Sequence, residues 1–439
     1  MGQIRVLVFP CGAENALEIH AALKDVMNVD LYGASSRDDH GSYVFRRCDT
    51  GLPDFRDADF LPRFTAMLER DAIDVIMPTH DDLALHLARH QPLWKARVAV
   101  PGQEQARIAR SKRATYALFA DTGFTPKLYT DAAQVDRYPV FVKPDEGQGG
   151  KGAGTVRDSA ELMGLGDLSH LVVTEVLPGE ELTVDCFSDR HGALRFTGPR
   201  TRARIFGGIS VRTATAELTP EIDGIARTIH ERMRMRGLWY FQLKRDAAGA
   251  WKLLEVSVRT AGSMGLYRAL GINLPLLTVY DLLDLDVSIT RNAGDMEMDR
   301  ALANSFRSDL SYDIAYVDYD ETLIKDGHVN WSAMLFVYNA RARGKRLRLI
   351  TKHAGDLRES LQEHAIHEGL FEEIVHLRPD ERKSDHIRDA ARAIFIDNAF
   401  KERAEVQRVH RMPVFDVDAI PALIDQREWH RDSRIHGKR

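Results

Sequence analysis

Apolar and polar positions alternate in blocks along the first hundred or so residues. IRVLVF is a nearly continuous apolar, β-branched run, as expected of a strand covered on both faces in a parallel sheet. CGAEN follows as a turn, and ALEIHAALKDV has helical spacing. VDLYGAS predicts a second strand, DADFLPRFTAMLERDA a second helix, and IDVIMPTHDD a third strand running into a polar loop. This βαβ rhythm predicts an open α/β sheet over residues 1–108. Ligands of such sheets meet the loops at strand carboxyl ends. Residues 12–15 and 78–82 occupy those positions, either as substrate contacts or as ordinary polar loops.

From residue 109 the pattern changes. SKRATYALFADTGF reads as a helix, YPVFVKP as a strand and DEGQGGKGAGTV as a glycine-rich loop. HLVVTEVLPGEELTVDCF predicts two strands about a Pro-Gly turn, and GLWYFQLKRDAAGAWKLLEVSVR a hairpin with alternating faces. Residues 291–311 are polar and weakly periodic, which places a linker there. YDIAYVDYDETL then opens a new βα series. The expected organisation is an α/β domain over 1–108, a second domain over 109–290, the linker 291–311 and a third domain over 312–439.

Composition narrows the class. Across 439 residues, 44% hydrophobic and 28% charged positions suit folded domains. With 60 basic against 65 acidic residues, nothing in the charge calls for a nucleic-acid or membrane partner. The three cysteines, Cys11, Cys48 and Cys186, form no CxxC pair, so neither a disulfide framework nor a zinc site is expected, and a cytoplasmic setting is. No apolar run approaches the roughly 20 residues that span a bilayer.

Phosphoryl transfer from a nucleotide needs cations on the phosphates, close backbone approach and carboxylates for metal. Residues 109–290 offer these in order. Lys143 ends a strand beside a loop in which Gly147, Gly149, Gly150, Gly152 and Gly154 let main-chain N–H groups curl toward an anion. GxxxxGK followed by Ser or Thr is absent, so this is not a P-loop. In TEVLPGEELTVD, a strand edge can face adenine and Glu181 can accept from ribose hydroxyls. Glu255, Ser257 and Arg259 share period 2 and therefore one strand face. An acid and an arginine there can hold Mg²⁺ and a phosphoryl group, or merely form a surface salt bridge.

In this order, SKRATYALFADTGFTPK, YPVFVKP, EGQGGKGAGTV, TEVLPGEELTVD, GLWYFQ and LLEVSVR resemble the ATP-grasp superfamily, especially members like one half of the carbamoyl phosphate synthase large subunit. The resemblance covers residues 1–290 and implies a pre-ATP-grasp Rossmann-like domain, then two subdomains clamping ATP. It implies Lys112 and Lys143 on ATP phosphates under a loop carrying Gly149, Gly150 and Gly152. Glu175 and Leu177 would border adenine, and Glu181 would hold ribose. Gln242, Glu255 and Ser257 would take metal, and Arg259 would stabilise the transferred phosphoryl group. Ser257 stands where the family usually has Asn, and Val258 where it has Pro. A serine hydroxyl is a shorter and poorer metal ligand than an Asn carbonyl. The implied chemistry is activation of a carboxylate as an acyl phosphate for attack by an amine or similar nucleophile. Arg212, Arg259 and Arg268 are candidates to grip that carboxylate, since a guanidinium fork matches two oxygens. For Arg212 and Arg268 a surface role fits equally.

VDYDETL places Asp318 and Asp320 just after an apolar strand. One carboxylate there can attack phosphorus while the other moves a proton, with a metal to offset their repulsion. Downstream stand Thr351 after RLRLI, Lys383 in ERKSDHI and Asp397 in AIFIDNAFKER. This set resembles the four motifs of the haloacid dehalogenase (HAD) superfamily over residues 312–425. The resemblance implies a Rossmannoid domain with Asp318 as the nucleophile that becomes an aspartyl-phosphate and Asp320 as general acid/base. Thr351 and Lys383 would bind phosphoryl oxygens, and Asp397 would complete the Mg²⁺ site with Asp318 and the Asp320 carbonyl. Glu321 replaces a common Gly, and Asn398 a frequent second Asp, leaving Asn398 or Glu402 as an outer oxygen. The segment from Asp320 to Thr351 is too short for a large cap, so the site would be open to a bulky or protein-borne phosphate.

The expected function is bifunctional: an ATP- and Mg²⁺-dependent ligase for small-molecule carboxylate and amine substrates, joined to a phosphatase for a related phosphorylated metabolite. Related folds suggest a homodimer. Two alternatives stay open: only one half is catalytic, or the ATP site binds and senses without ligation.

Overall fold

The run IRVLVF forms strand β1 (Ile4–Phe9), buried at the centre of a parallel sheet in the computed structural model, which describes residues 2–147, 149–425 and 427. Its companions are β2 (Val29–Ala34), β3 (Cys48–Asp49), β4 (Val75–Pro78) and β5 (Arg97–Val98), in the order β3-β2-β1-β4-β5. The chain runs outward through β2 and β3, then returns to β4 on the far side of β1. That reversal opens a crevice at the carboxyl ends of β1 and β4. Asn15, in the first turn of the helix Glu14–Leu23, donates there to the carbonyls of Thr79 (2.7 Å) and Thr260 (3.1 Å). Asp81 begins the helix Asp81–His90 at the same end.

Two antiparallel sheets follow. The first has β6 (Leu128–Tyr129), β7 (Val140–Pro144), β8 (Gly154–Val156) and β9 (Leu171–Glu175), ordered β6-β9-β7-β8. The second is built on β10 (Glu181–Ser188) and β11 (Leu194–Thr201), joined after an excursion through β12 (Arg204–Phe206) and β13 (Ile209–Ala214) by β14 (Gly237–Arg245) and β15 (Trp251–Ser257). Its order is β11-β10-β14-β15. Alternation sorts its faces: Leu182, Val184, Phe241 and Leu243 are buried in a core with Ile222, Ile225 and Ile229 of the helix Pro220–Met233. That helix starts where Thr219 Oγ1 accepts from the Ile222 N–H and Pro220 occupies the first turn, and it stops at Arg234 in the left-handed region. The opposite face is polar and carries the site.

The expected linker at 291–311 is in part a strand. β16 (Glu297–Asp299) pairs antiparallel with β13, where Arg212 meets Glu297 and Arg204 meets Asp299 (2.6 Å). Charged cross-strand pairs hold this polar segment, so an apolar periodicity could not reveal it. The chain divides into two compact units between Ala303 and Asn304.

The second unit is a parallel sheet of β17 (Ile314–Val317), β20 (Arg346–Thr351), β21 (Glu373–His376), β22 (Ala393–Ile396) and β23 (Val414–Phe415), ordered β21-β20-β17-β22-β23. Between β17 and β20 come the small hairpin of β18 (Ile324–Lys325) and β19 (His328–Val329) and the helix Trp331–Ala342. Among the described residues, no helix is long and apolar enough to cross a membrane.

Candidate active sites

In the first unit, a cavity of about 350 Å³ opens between the sheet carrying β7 and β9 and the polar face of β14 and β15. Lys112, Lys143, Gly149, Gly150, Glu175, Leu177, Glu181, Gln242 and Glu255 all line it. Lys143, near the end of β7, is almost fully buried; its Nζ donates to Tyr116 Oη (2.8 Å) and to the Leu254 carbonyl (3.3 Å). Burial lowers its pKa to about 8, against the opposing pull of Glu255 and Glu181. Lys112 Nζ donates to the carbonyls of Asp145 (3.1 Å) and Gly147 (3.3 Å), and burial lowers its pKa as well. Two ammonium groups are thus seated at the foot of the glycine loop.

Gly149 and Gly150 take φ of +65° and +67°, which L side chains rarely adopt. A Cβ on Gly208, in the turn between β12 and β13, would stand 2.2 Å from the Gly149 carbonyl oxygen. Two glycine segments therefore touch backbone to backbone. Gly152 lies outside the cavity lining and packs on Pro144, where a Cβ would approach to 3.2 Å. Glu175 Oε1 accepts from the Lys127 N–H (2.8 Å), and Glu181 sits between Arg202 (2.6 Å) and Lys244 (3.5 Å).

Gln242 and Glu255 are direct cross-strand partners, so their oxygens share one face. Thr183 of β10 is the cross-strand neighbour of Gln242 on β14, and its buried hydroxyl has no hydrogen-bond partner among the described residues. A carboxylate, an amide oxygen and an orphaned hydroxyl form an oxygen-donor set that fits Mg²⁺. Ser257 turns elsewhere: its Oγ donates to Asp81 Oδ1 (2.8 Å). Arg259 Nε donates to the other oxygen of Asp81 (2.9 Å). Burial pushes the Asp81 carboxyl up, but Arg259 and Ser257 more than reverse it, leaving the pKa below its ordinary value. These residues border a smaller cavity of about 130 Å³ that shares Lys112, Gln242 and Glu255 with the first. Arg212 and Arg268 border neither; Arg212 pairs with Glu297, and Arg268 grips Glu18 (2.8 and 3.1 Å).

In the second unit, Lys383 Nζ donates to Asp318 Oδ1 and to Asp397 Oδ2, both at 2.6 Å. All three side chains are buried. Burial, then the Asp397 charge, raises the Asp318 pKa to about 6 against the pull of Lys383. Asp320 is reached by Thr351 Oγ1 (3.4 Å) and lies 2.8 Å from His353 Nδ1. Two carboxylates on one ammonium leave uncompensated negative charge, which a divalent cation fits. Among the described residues, no three His, Cys, Asp or Glu side chains converge as a metal cage. Mg²⁺ usually keeps several waters and needs few carboxylates, so the smaller donor set suits it. Glu321 has φ +52°, a left-handed conformation in which glycine is the easier residue. Glu402 is paired with Lys352 (2.7 Å), and Asn398 donates its N–H to Thr322 Oγ1 (3.1 Å).

Sequence reasoning did not single out Tyr116, Arg202, Gly208, Thr183 or His353. Asp81 falls in the polar loop 78–82, which the sequence marks only as a segment.

The family described as "ATP-grasp in the biosynthetic pathway with Ter operon" matches residues 167–301. The chain resembles the biotin carboxylase domain of Hydrogenobacter thermophilus 2-oxoglutarate carboxylase, solved with MgADP, ADP and bicarbonate (TM-score 0.57, 15% identity, covering 68% of this chain and 74% of that one). It also resembles N5-carboxyaminoimidazole synthetase from Staphylococcus aureus with ADP (0.54, 13%, 65% and 79%). A third similar structure is the L-amino acid ligase from Bacillus licheniformis (0.51, 18%, 64% and 74%). No protein of curated function matches by sequence. Residues 167–301 thus match an ATP-grasp family model, within a mixed α/β architecture whose fold is similar to that of these solved structures.

Proposed function

We propose that the first unit is an ATP- and Mg²⁺-dependent ligase that activates a small-molecule carboxylate as an acyl phosphate and passes it to an amine or similar nucleophile. The observation that carries this is the convergence of Lys112, Lys143, Gln242 and Glu255 on one cavity beneath a glycine loop. The lysines hold the phosphates of ATP, Glu175 and Leu177 border the base, and Glu181 takes the ribose. Gln242 and Glu255 would hold Mg²⁺, which when bound would supply positive charge to offset that of the transferring group. Arg259, oriented by Asp81, faces the adjoining smaller cavity, where the carboxylate would sit. The MgADP, ADP and bicarbonate in the similar carboxylase domain support this reading.

The same proposal makes the second unit an HAD-type phosphatase. Asp318 attacks phosphorus while Asp320 protonates the leaving oxygen, and Asp320 then takes a proton from the water that hydrolyses the aspartyl-phosphate. Lys383 and Thr351 bind phosphoryl oxygens. Asp318, Asp397 and the Asp320 carbonyl would hold Mg²⁺, which when bound would supply charge to offset the nucleophile and the phosphate.

ADP release is expected when ATP is supplied with pooled carboxylates and amines, with a condensed product visible by mass spectrometry. Phosphate release from an aryl phosphate is expected independently. Ser257 spends its hydroxyl on Asp81, which favours one second reading: an ATP-binding module without transfer. Nucleotide binding with no ADP release from any pool would select it.

A further inference from the structure

Two of the three thiols lie in contact. Cys11 Sγ and Cys48 Sγ are 3.5 Å apart, though 37 positions separate them in the chain. Cys11 leaves the end of β1 and donates its N–H to the Ala34 carbonyl of β2 (2.8 Å). Cys48 opens β3 in register with Gly33 of β2. The thiols therefore meet across β2, and two glycines make the room. A Cβ on Gly33 would stand 3.1 Å from Cys11 Cβ, and one on Gly41 would stand 2.2 Å from Cys11 Sγ. Cys11 is fully buried, with its side chain confined by these neighbours. Cys48 is half-buried and lines an open cavity of about 390 Å³ beside Arg47 and Arg70. Cys186 is buried in another core, its Sγ directed at the Val184 carbonyl (3.9 Å).

We propose that Cys11 and Cys48 are a redox modification site that closes an intramolecular disulfide when the protein meets a peroxide. An S–S bond of about 2.05 Å requires the sulfurs to approach by roughly 1.5 Å. Peroxide enters through the cavity at Cys48. The Cys48 sulfur attacks one peroxide oxygen, the O–O bond breaks, and sulfenic acid and water result. Cys11 then attacks the Cys48 sulfur, the S–S bond forms, the S–O bond breaks, and the hydroxyl leaves with the Cys11 proton as a second water. In sum, two thiols and one hydrogen peroxide give one disulfide and two waters. Each sulfur loses one electron, and the peroxide oxygens gain both. Ser35 Oγ lies 3.6 Å from Cys11 Sγ and donates its own hydrogen to Asp39 (2.7 Å), which leaves its oxygen free to accept from the Cys11 thiol and hold that sulfur in place. The bond would fasten the loop leading to Glu14 and Asn15, both at the crevice end of β1.

The test uses the native full-length protein, treated with hydrogen peroxide, then alkylated in denaturant and weighed intact. The untreated chain takes three alkyl groups, matching its cysteine count. The oxidised chain is expected to take one, at Cys186, with non-reducing peptide mapping joining the Cys11 and Cys48 peptides and dithiothreitol restoring all alkylation. Cys48→Ser, checked for native circular dichroism, is expected to keep Cys11 alkylatable after the same treatment. Unchanged alkylation of the wild type would overturn the proposal. So would sulfinic acid at Cys48 without a crosslink, or a disulfide between two chains.

Discussion

Lys143 holds a positive charge where burial opposes it, and that conflict has a measurable sign. Its pKa of about 8 lies below the ordinary lysine value of 10.5. Between those two values the unfolded chain binds more protons, so this lysine's contribution to stability increases as pH rises through the window and is least favourable below pH 8. Phosphate binding has the opposite preference, since polyphosphate needs the ammonium form. Affinity for MgADP is therefore expected to hold up to about pH 8 and then fall by up to ~tenfold per pH unit, one proton being taken up on binding. Calorimetry in buffers of different ionisation enthalpy reads both quantities. Lys143→Arg, charged throughout, should flatten the curve; a flat wild-type curve refutes the assignment. Lys383 is a different kind of buried lysine, because two carboxylates share it. Removing one partner of a buried ion pair costs about 3–5 kcal/mol. Lys383→Met is expected to lower the unfolding free energy of the second unit by that order, and millimolar Mg²⁺ to return part of it. Denaturant melts with and without metal check this, and an unchanged midpoint contradicts it.

At the level of elements, the glycine loop and the β12–β13 turn are coupled by a backbone contact that no side chain can enter. Gly208→Ala would drive a Cβ into the Gly149 carbonyl at a residue with φ +79°. The exposed turn can shift without unfolding the sheet, so we expect native circular dichroism with KM for ATP raised roughly five- to hundredfold, since strain and misplacement of this size amount to about 1–3 kcal/mol. An unchanged KM would show that the turn does not position the loop. This contact also marks where legibility ended. Strands β1, β17 and β22 could be read directly, because runs such as IRVLVF and AIFI are apolar on both faces. Period 2 put Glu255 and Ser257 on one side of β15. What the sequence could not supply was Asp81, 176 positions from Ser257 and yet its acceptor. Nor could it show that Arg268 would be consumed by Glu18 across 250 positions. Such pairs are made by tertiary packing, and neither partner carries a local pattern. β16 escaped for a related reason, since EMD is held by charge pairs rather than by an apolar face.

Across the whole molecule, the division after Ala303 separates two sets of cores. Among the described residues, the cores that hold Ile314, Tyr316, Val317 and Ile394 are built from residues of the second unit, and those around Val6, Phe64, Val142 and Trp239 from residues of the first. Separate cores predict separate cooperative transitions. A ligand that binds only the native state stabilises by RT ln(1 + [L]/Kd), about 2.7 kcal/mol at a hundredfold excess over Kd. Differential scanning calorimetry is then expected to resolve two transitions, MgADP moving one upward and leaving the other in place. Glu255→Gln should abolish that shift and ADP release while sparing hydrolysis of an aryl phosphate. Asp318→Asn should abolish hydrolysis while sparing the shift. If either variant removes both activities with both transitions intact, the two carboxylate clusters serve one shared reaction and the two-site reading fails.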